Sequence, residues 1–142
     1  TITGRAKEII VTAGGKNVAP GPIEDGIRAH RLVGNAVLIG EGRKFVSALI
    51  TLDEVELENW AAENGHGGEP ADRLVDDPAL RAEIQFAVDD ANRQVSQAEG
   101  VKKFVVLPRD FSEEAGELTA TLKVKRHVVV ENYADQIEGM YA

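Results

Sequence analysis

The chain has no cysteine in its 142 residues, which excludes a disulfide framework, a thiol nucleophile and a thiolate metal site. A reducing cytoplasm fits that absence. No apolar run approaches the roughly 20 residues that span a bilayer, and no signal-peptide pattern opens the chain. The three histidines, His30, His66 and His127, are scattered without metal-ligand spacing, so none is assigned to a metal. No arrangement of serine, histidine and acid can be argued. Basic residues are the minority, 16 against 24 acidic for a net charge of −8, and that balance argues against nucleic acid as a partner. Internal repeats and low-complexity tracts are absent too. There is no initiating methionine: Thr1 opens what reads as a strand already under way, so the sequence is expected to be a piece of a longer polypeptide.

What is present points to one globular domain. Hydrophobic residues make up 43% of the chain, enough for a sizeable core in a domain of this length. Charge is spread unevenly: Asp53 to Gly100 carries 13 acidic and 3 basic residues. That acidic middle reads as a solvated face, and the more basic ends are where an anionic ligand would be tolerated.

The pattern predicts an N-terminal hairpin over residues 1–20, with Ile2, Thr3, Ile9, Ile10 and Val11 as strand formers and Gly14-Gly15 as permissive backbone. Pro20-Gly21-Pro22 opens a helix with Ile23 and Ile27 one turn apart. Two apolar runs, 35–40 and 44–52, flank Glu41-Gly42-Arg43 as an antiparallel hairpin. A short acidic helix is predicted over 54–63, with Val55 and Trp60 inward. A longer one starts at Asp77-Pro78 and stops at Gly100, with Leu80, Ile84, Ala87, Val88, Ala91 and Val95 on its apolar face. Residues 103–107 read as a third core strand stopped by Pro108, and 128–137 as a last helix with Val129, Val130, Tyr133 and Ile137 on one face. The fold class expected is α+β: a small, largely antiparallel sheet flanked by helices, with an N-terminal hairpin.

Two segments carry the chemistry. Gly116-Glu117-Leu118-Thr119-Ala120-Thr121-Leu122-Lys123-Val124-Lys125-Arg126 brings a hydroxyl-rich turn into one lysine and then a basic pair at the mouth of an apolar helix. Such a lysine can reach a phosphate as a compact point charge. At the other end, Arg5-Ala6-Lys7-Glu8 precedes an apolar strand and the Gly14-Gly15-Lys16 turn. That turn lacks the four-residue spacer and the hydroxyl of a P-loop. Together the two segments resemble the hinge and the C-terminal lysine motif of the adenylate-forming enzymes. The wording Gly-Glu-Leu-Thr and Leu-Lys-Val-Lys-Arg is most similar to that of the long-chain fatty-acid–CoA ligases.

The resemblance implies that residues 1–142 are a C-terminal lid domain whose residues 1–8 form the hinge region. Lys123 would be the catalytic lysine of adenylation, Arg5 would lie beside the adenylate, and Lys7 would be the pivot of a domain rotation. Gly14, Gly15 and Lys16 would line the path of the pantetheine arm of CoA. The chain has one residue more between Arg5 and Pro20 than many relatives, so the choice between Gly14 and Gly15 as the tunnel residue stays open. Ala120 stands where long-chain relatives often carry proline, which loosens the loop slightly. Lys125 and Arg126 would meet helix carbonyls, solvent or the phosphates of CoA. ATP, CoA and Mg2+ would be bound mainly by a larger N-terminal domain, the lid's natural partner, with fatty acid and CoA as substrates. Localisation would be cytoplasmic, with peripheral membrane contact left open. Two alternatives remain at this point: the same domain from an enzyme loading a carrier protein, and a stand-alone α+β binding module.

Overall fold

The computed structural model describes residues 9–65, 67–69, 71–93, 100–107, 111–120 and 124–141. The first element is the expected hairpin, reduced to two short strands, β1 (Ile10–Val11) and β2 (Asn17–Val18), paired antiparallel. Ile2 and Thr3 lie outside the described residues. Helix α1 (Pro20–Arg28) follows at once. Ala19 supplies no side-chain cap and proline occupies the start, where a missing N–H costs nothing. Ile23 and Ile27 are buried as their spacing predicts, and Glu24 is buried between them.

The central sheet has the order β3-β4-β5, with β3 Val33–Ile39, β4 Val46–Leu52 and β5 Val101–Leu107. Strands β3 and β4 form the predicted antiparallel hairpin, with Leu38 opposite Ala48. Strand β5 begins at Val101, two residues earlier than expected, and runs parallel to β4 with Val105 opposite Leu49. A parallel neighbour needs a long crossover, here supplied by α2 (Glu54–Glu63), the short α3 (Ala71–Leu74) and α4 (Pro78–Asn92). The fold class is therefore the expected α+β with an N-terminal hairpin, and the one parallel pairing is its departure from a purely antiparallel sheet. All seven residues of β4 are buried, because both faces of the sheet are covered.

Alternation along the strands divides the core in two. Leu38, Ala48 and Ile50 face Ile27, Leu80, Ile84 and Val88 of α1 and α4. Val37, Ile39, Leu49 and Leu107 face a second cluster with Phe111, Val129, Ile137 and Met140. Asp77 caps α4 by accepting from the backbone N–H of Ala79 at 2.8 Å and of Leu80 at 3.3 Å. That helix ends at Asn92 with Arg93 as its C-cap, short of the predicted stop at Gly100. The Asn92 amide donates to the Val101 carbonyl at 3.0 Å and its oxygen accepts from the Val101 N–H at 2.8 Å, which ties the helix end to the start of β5. Val95 and Pro108 lie outside the described residues.

Two further expectations are corrected. Helix α2 has the predicted bounds, capped by Asp53 accepting from Glu56 N–H at 3.0 Å, and Trp60 is inward. Val55 is not: it is 66% exposed, and Leu57 and Ala61 join Trp60 instead. Five residues at about 100° each place Val55 roughly 140° away from Trp60 on the helix surface, so the two cannot share a face. The single last helix is two, α5 (Arg126–Asn132) and α6 (Ala134–Tyr141), broken at Tyr133 with φ −116° and ψ 28°. Val129 and Ile137 are buried but Val130 is 38% exposed. The break seats Tyr133 against Phe111, ring centroids 6.0 Å apart. It also lets the Tyr141 hydroxyl reach Ser47 Oγ at 2.8 Å and donate toward the Phe45 carbonyl at 2.8 Å. Among the described residues no helix is long and apolar enough to cross a membrane.

Candidate functional site

The motif segment is built on a turn that follows the buried Phe111. Ser112 Oγ accepts from Ala115 N–H at 3.1 Å, and Gly116, at φ +77°, donates its N–H to the Glu113 carbonyl at 2.9 Å. The N–H groups of Glu117 and Leu118 both donate to the Ser112 carbonyl, at 3.0 and 3.2 Å. Glu117 turns inward and is 3% exposed. Its carboxylate accepts from Ser112 N–H at 3.3 Å and from the Asn132 amide of α5 at 3.1 Å. An antiparallel bridge between Leu118 and Val124 then closes the loop, and Lys125 N–H donates to the Glu117 carbonyl at 2.7 Å. Lys123, predicted to be catalytic, lies outside the described residues, but its chain neighbour Val124 is the closing residue of that bridge.

Arg126 is fixed more firmly than its sequence context suggests. Its Nη1 donates to the Leu38 carbonyl at 2.7 Å and lies 2.9 Å from Glu24 Oε2. The same carboxylate oxygen accepts from Leu38 N–H at 2.8 Å. Leu38 sits on β3, an edge strand of the sheet, so an acid from α1 and a base from α5 together satisfy backbone groups that would otherwise stand unpaired at that edge. Of the partners expected for Arg126, a backbone carbonyl is present, but it belongs to a strand.

Gly14, Gly15 and Lys16 form the tip of the N-terminal hairpin. Thr12 organises it: its N–H donates to the Lys16 carbonyl at 3.0 Å, its Oγ1 accepts from Lys16 N–H at 3.2 Å, and Gly15 N–H donates to its carbonyl at 2.9 Å. Gly15 has φ +85°, which favours glycine whatever the space around it. A Cβ at Gly14 would meet nothing within 4 Å among the described residues. The hairpin is anchored on the β3–β4 turn, with Ala13 N–H donating to the Arg43 carbonyl and Gly42 N–H to the Val11 carbonyl, each at 2.8 Å. Lys7 and Arg5 lie outside the described residues.

The two ends of the chain meet at a cavity of about 340 Å³ lined by Ile9, Ile10, Arg43, Arg126 and Val130 among others. Ile9 follows Lys7 by two residues and Arg126 follows Lys123 by three, so the flanks of both motifs share this wall. Gly14, Gly15 and Lys16 do not line it. The hydrogen bond between Arg43 and Glu138 raises the pKa of Arg43 and lowers that of Glu138. The Arg43 guanidinium lies 4.9 Å from the Tyr141 ring centroid. Among the described residues no group of three or more His, Asp or Glu side chains is placed to hold a metal ion.

Sequence reasoning missed Glu24 and Glu117 as organising residues. The first had a signal, an acid between Ile23 and Ile27 on the apolar face of α1. The second had none beyond its place in the motif.

An α+β domain with an N-terminal hairpin and a motif segment bridged at Leu118 and Val124 beside a buried carboxylate is the class that fold and site define. Residues 7–142 match the family model of the AMP-binding enzyme C-terminal domain, and the chain belongs to that family. It is 54% identical over 142 residues to the long-chain-fatty-acid–CoA ligase FadD15 of Mycobacterium tuberculosis, covering 99% of this chain and 24% of that protein. It is 40% identical over 166 residues to the long-chain-fatty-acid–CoA ligase ACSBG2 of Gallus gallus, covering 99% and 21%. The chain thus spans about a quarter of the length of these relatives. Among solved structures, the adenylation domain of a carboxylate reductase from Mycobacterium chelonae superposes with a TM-score of 0.73 at 22% identity, over 95% of this chain and 19% of that one. A Mycobacterium tuberculosis fatty acyl CoA synthetase gives 0.55 at 19% identity, over 92% and 20%. At such identities the likeness is one of fold.

Proposed function

We propose that this chain is the mobile C-terminal domain of an ATP-dependent, AMP-forming long-chain fatty acyl-CoA ligase. The observation that carries the reading is the 54% identity to a long-chain ligase along the whole chain. The carboxylate reductase likeness is one of fold alone and gives no ground for preferring a carrier-protein acceptor.

In the first half-reaction a fatty-acid carboxylate oxygen attacks the α-phosphorus of ATP and the bond to pyrophosphate breaks. Negative charge builds on the phosphoryl oxygens. The Lys123 ammonium, delivered by the loop closed at Leu118 and Val124, stabilises that charge more in the transition state than in the ground state. Arg5 lies beside the adenylate, and the larger N-terminal domain holds ATP, the acyl chain and Mg2+. The lid then turns about Lys7 and presents the Gly14–Lys16 hairpin to CoA. The CoA thiolate attacks the acyl carbonyl and AMP leaves. A pivot needs a residue at an element boundary that absorbs a large φ/ψ change, and Lys7 stands three residues before β1.

Separate half-reaction assays of the intact enzyme test this. Lys123→Ala should slow pyrophosphate release by about 10²–10³-fold and spare thioester formation from supplied acyl adenylate. A bulky residue at Gly14 or Gly15 should do the reverse. Lys7→Pro, which fixes φ near −65°, should affect the two steps unequally. Loss of thioester formation with adenylation intact in Lys123→Ala would overturn the two-orientation mechanism. The 142-residue chain alone should be folded and show no ATP–pyrophosphate exchange.

A further inference from the structure

We infer that Glu24 and Arg126 are positioning residues for the adenylation lysine, acting on the chain just beyond it; the inference rests on the role proposed for Lys123. Three consecutive residues after Lys123 are tethered, two within the motif segment and one to the rest of the domain. Val124 bridges Leu118, Lys125 N–H binds the Glu117 carbonyl at 2.7 Å, and Arg126 binds both the Leu38 carbonyl and Glu24. An extended chain covers at most about 3.6 Å per residue, so Arg126 fixes a point within roughly 11 Å of the Lys123 Cα. The first two tethers lie within the motif segment itself and would move with it. The third ties the loop by hydrogen bonds to the edge of the sheet and to α1, beside the less directional packing of Leu118 and Val124 on the second core cluster.

The chemistry of the clamp argues for register over bulk stability. Glu24 is 5% exposed, and taking a carboxylate out of water carries a desolvation cost that its attraction to Arg126 only partly offsets. An apolar pair would supply cohesion, though without partners for the Leu38 N–H and carbonyl. Nor could an apolar pair select one position along β3. Glu24 Oε2 accepts from Leu38 N–H while Arg126 Nη1 donates to Leu38 C=O, so both charged groups read the donor and acceptor of a single residue. A slip of the motif segment along the strand would break the contacts of Arg126 to the Leu38 carbonyl and to Glu24 at once. Arg126 also lines the cavity that Ile9 lines.

The test uses the intact enzyme with Arg126→Met, Arg126→Lys and Glu24→Gln, each made also in a Lys123→Ala background. Glu24→Gln keeps the shape and an acceptor for Leu38 N–H and removes only the charge, so the fold survives it. Small displacements of an aligned group cost up to about 10²-fold. The expected result is a fall of about 10- to 100-fold in adenylation for Arg126→Met and a smaller fall for Glu24→Gln. Arg126→Lys should recover part of the loss, and thioester formation from supplied acyl adenylate should stay within about twofold. In the Lys123→Ala background none of the three changes should lower adenylation further, since groups acting as one unit are not additive. Equal loss of both half-reactions, or losses that multiply with that of Lys123→Ala, would overturn the positioning role and leave Lys123 in place. Full adenylation by Lys123→Ala alone would instead overturn the reading on which the inference rests.

Discussion

Removing the Glu117 carboxylate tests whether the motif loop is held from its base. The side chain is buried and accepts two hydrogen bonds, at 3.3 Å from Ser112 N–H and 3.1 Å from the Asn132 amide. Bonds to a charged partner contribute about 1.5–3 kcal/mol each. Both distances are on the long side and Asn132 is exposed, free to return its amide to water, so each belongs at the lower end of that range. Relief of the buried charge opposes the loss. Glu117→Ala should therefore destabilise the domain by about 2–3 kcal/mol. In a chain of this length 1 kcal/mol shifts the melting temperature by about 3–4 °C, which gives a fall of about 6–12 °C. Urea denaturation of the 142-residue chain, followed by far-UV circular dichroism, measures the free-energy loss, with an unchanged m-value showing that only stability moved, and a thermal melt measures the fall in melting temperature. Glu117→Gln retains an acceptor for Ser112 and should lose about 1 kcal/mol. A double-mutant cycle with Asn132→Ala should return a coupling of about 0.5–1.5 kcal/mol. A Glu117→Ala variant within about 0.5 kcal/mol of the parent, or a coupling of zero, would refute the reasoning.

Three other outcomes are expected. Asp77→Ala removes the cap of α4 and should cost about 1 kcal/mol in the same urea assay, with Asp77→Asn nearly neutral. A Cβ at Gly26 would lie 3.1 Å from Ala91 Cβ where α1 crosses α4, so Gly26→Val should destabilise by about 1–3 kcal/mol, and the loss should shrink in the presence of Ala91→Gly. Burial raises the pKa of the Tyr141 hydroxyl above its ordinary value, with the Ser47 hydrogen bond opposing. Its stabilisation is thus present below the unfolded pKa near about 10 and is lost as pH rises through the folded value. An ultraviolet absorbance titration of Tyr133→Phe should place the Tyr141 midpoint higher in the folded chain than in urea, and coincident midpoints would remove the effect.

The elements with a clean local signature were legible in the sequence. Asp77-Pro78 announced α4, Pro20-Gly21-Pro22 announced α1, and the two apolar runs around Glu41-Gly42-Arg43 announced the central hairpin. What was not legible depended on partners distant in sequence. The direction of β5 beside β4 follows from the crossover of α2, α3 and α4, which no window of residues records. The break at Tyr133 is set by Phe111 and Ser47, and a helical period through 128–137 carries no trace of either. At the candidate site the residue types of both motifs were visible at once. The inward turn of Glu117 and the Glu24–Arg126 pair were not, because a charged residue reads as solvated until its partner is seen.

The two sides of the sheet are unequal. Among the described residues the cluster against α1, α2 and α4 has twenty-two buried members, whereas the one against α5 and α6 has eight, four of them from the sheet itself. Cooperative opening follows the distribution of buried apolar contact, so this domain should open in two stages, with the layer of residues 111–141 lifting before the sheet and α4 separate. Native-state hydrogen exchange should then show the amides of α5 and α6 leaving at a lower free energy than those of β4 and α4. The segment that carries the proposed chemistry would be the one the molecule can release without unfolding, and any ligand gripping it would announce itself first as slowed exchange in that layer.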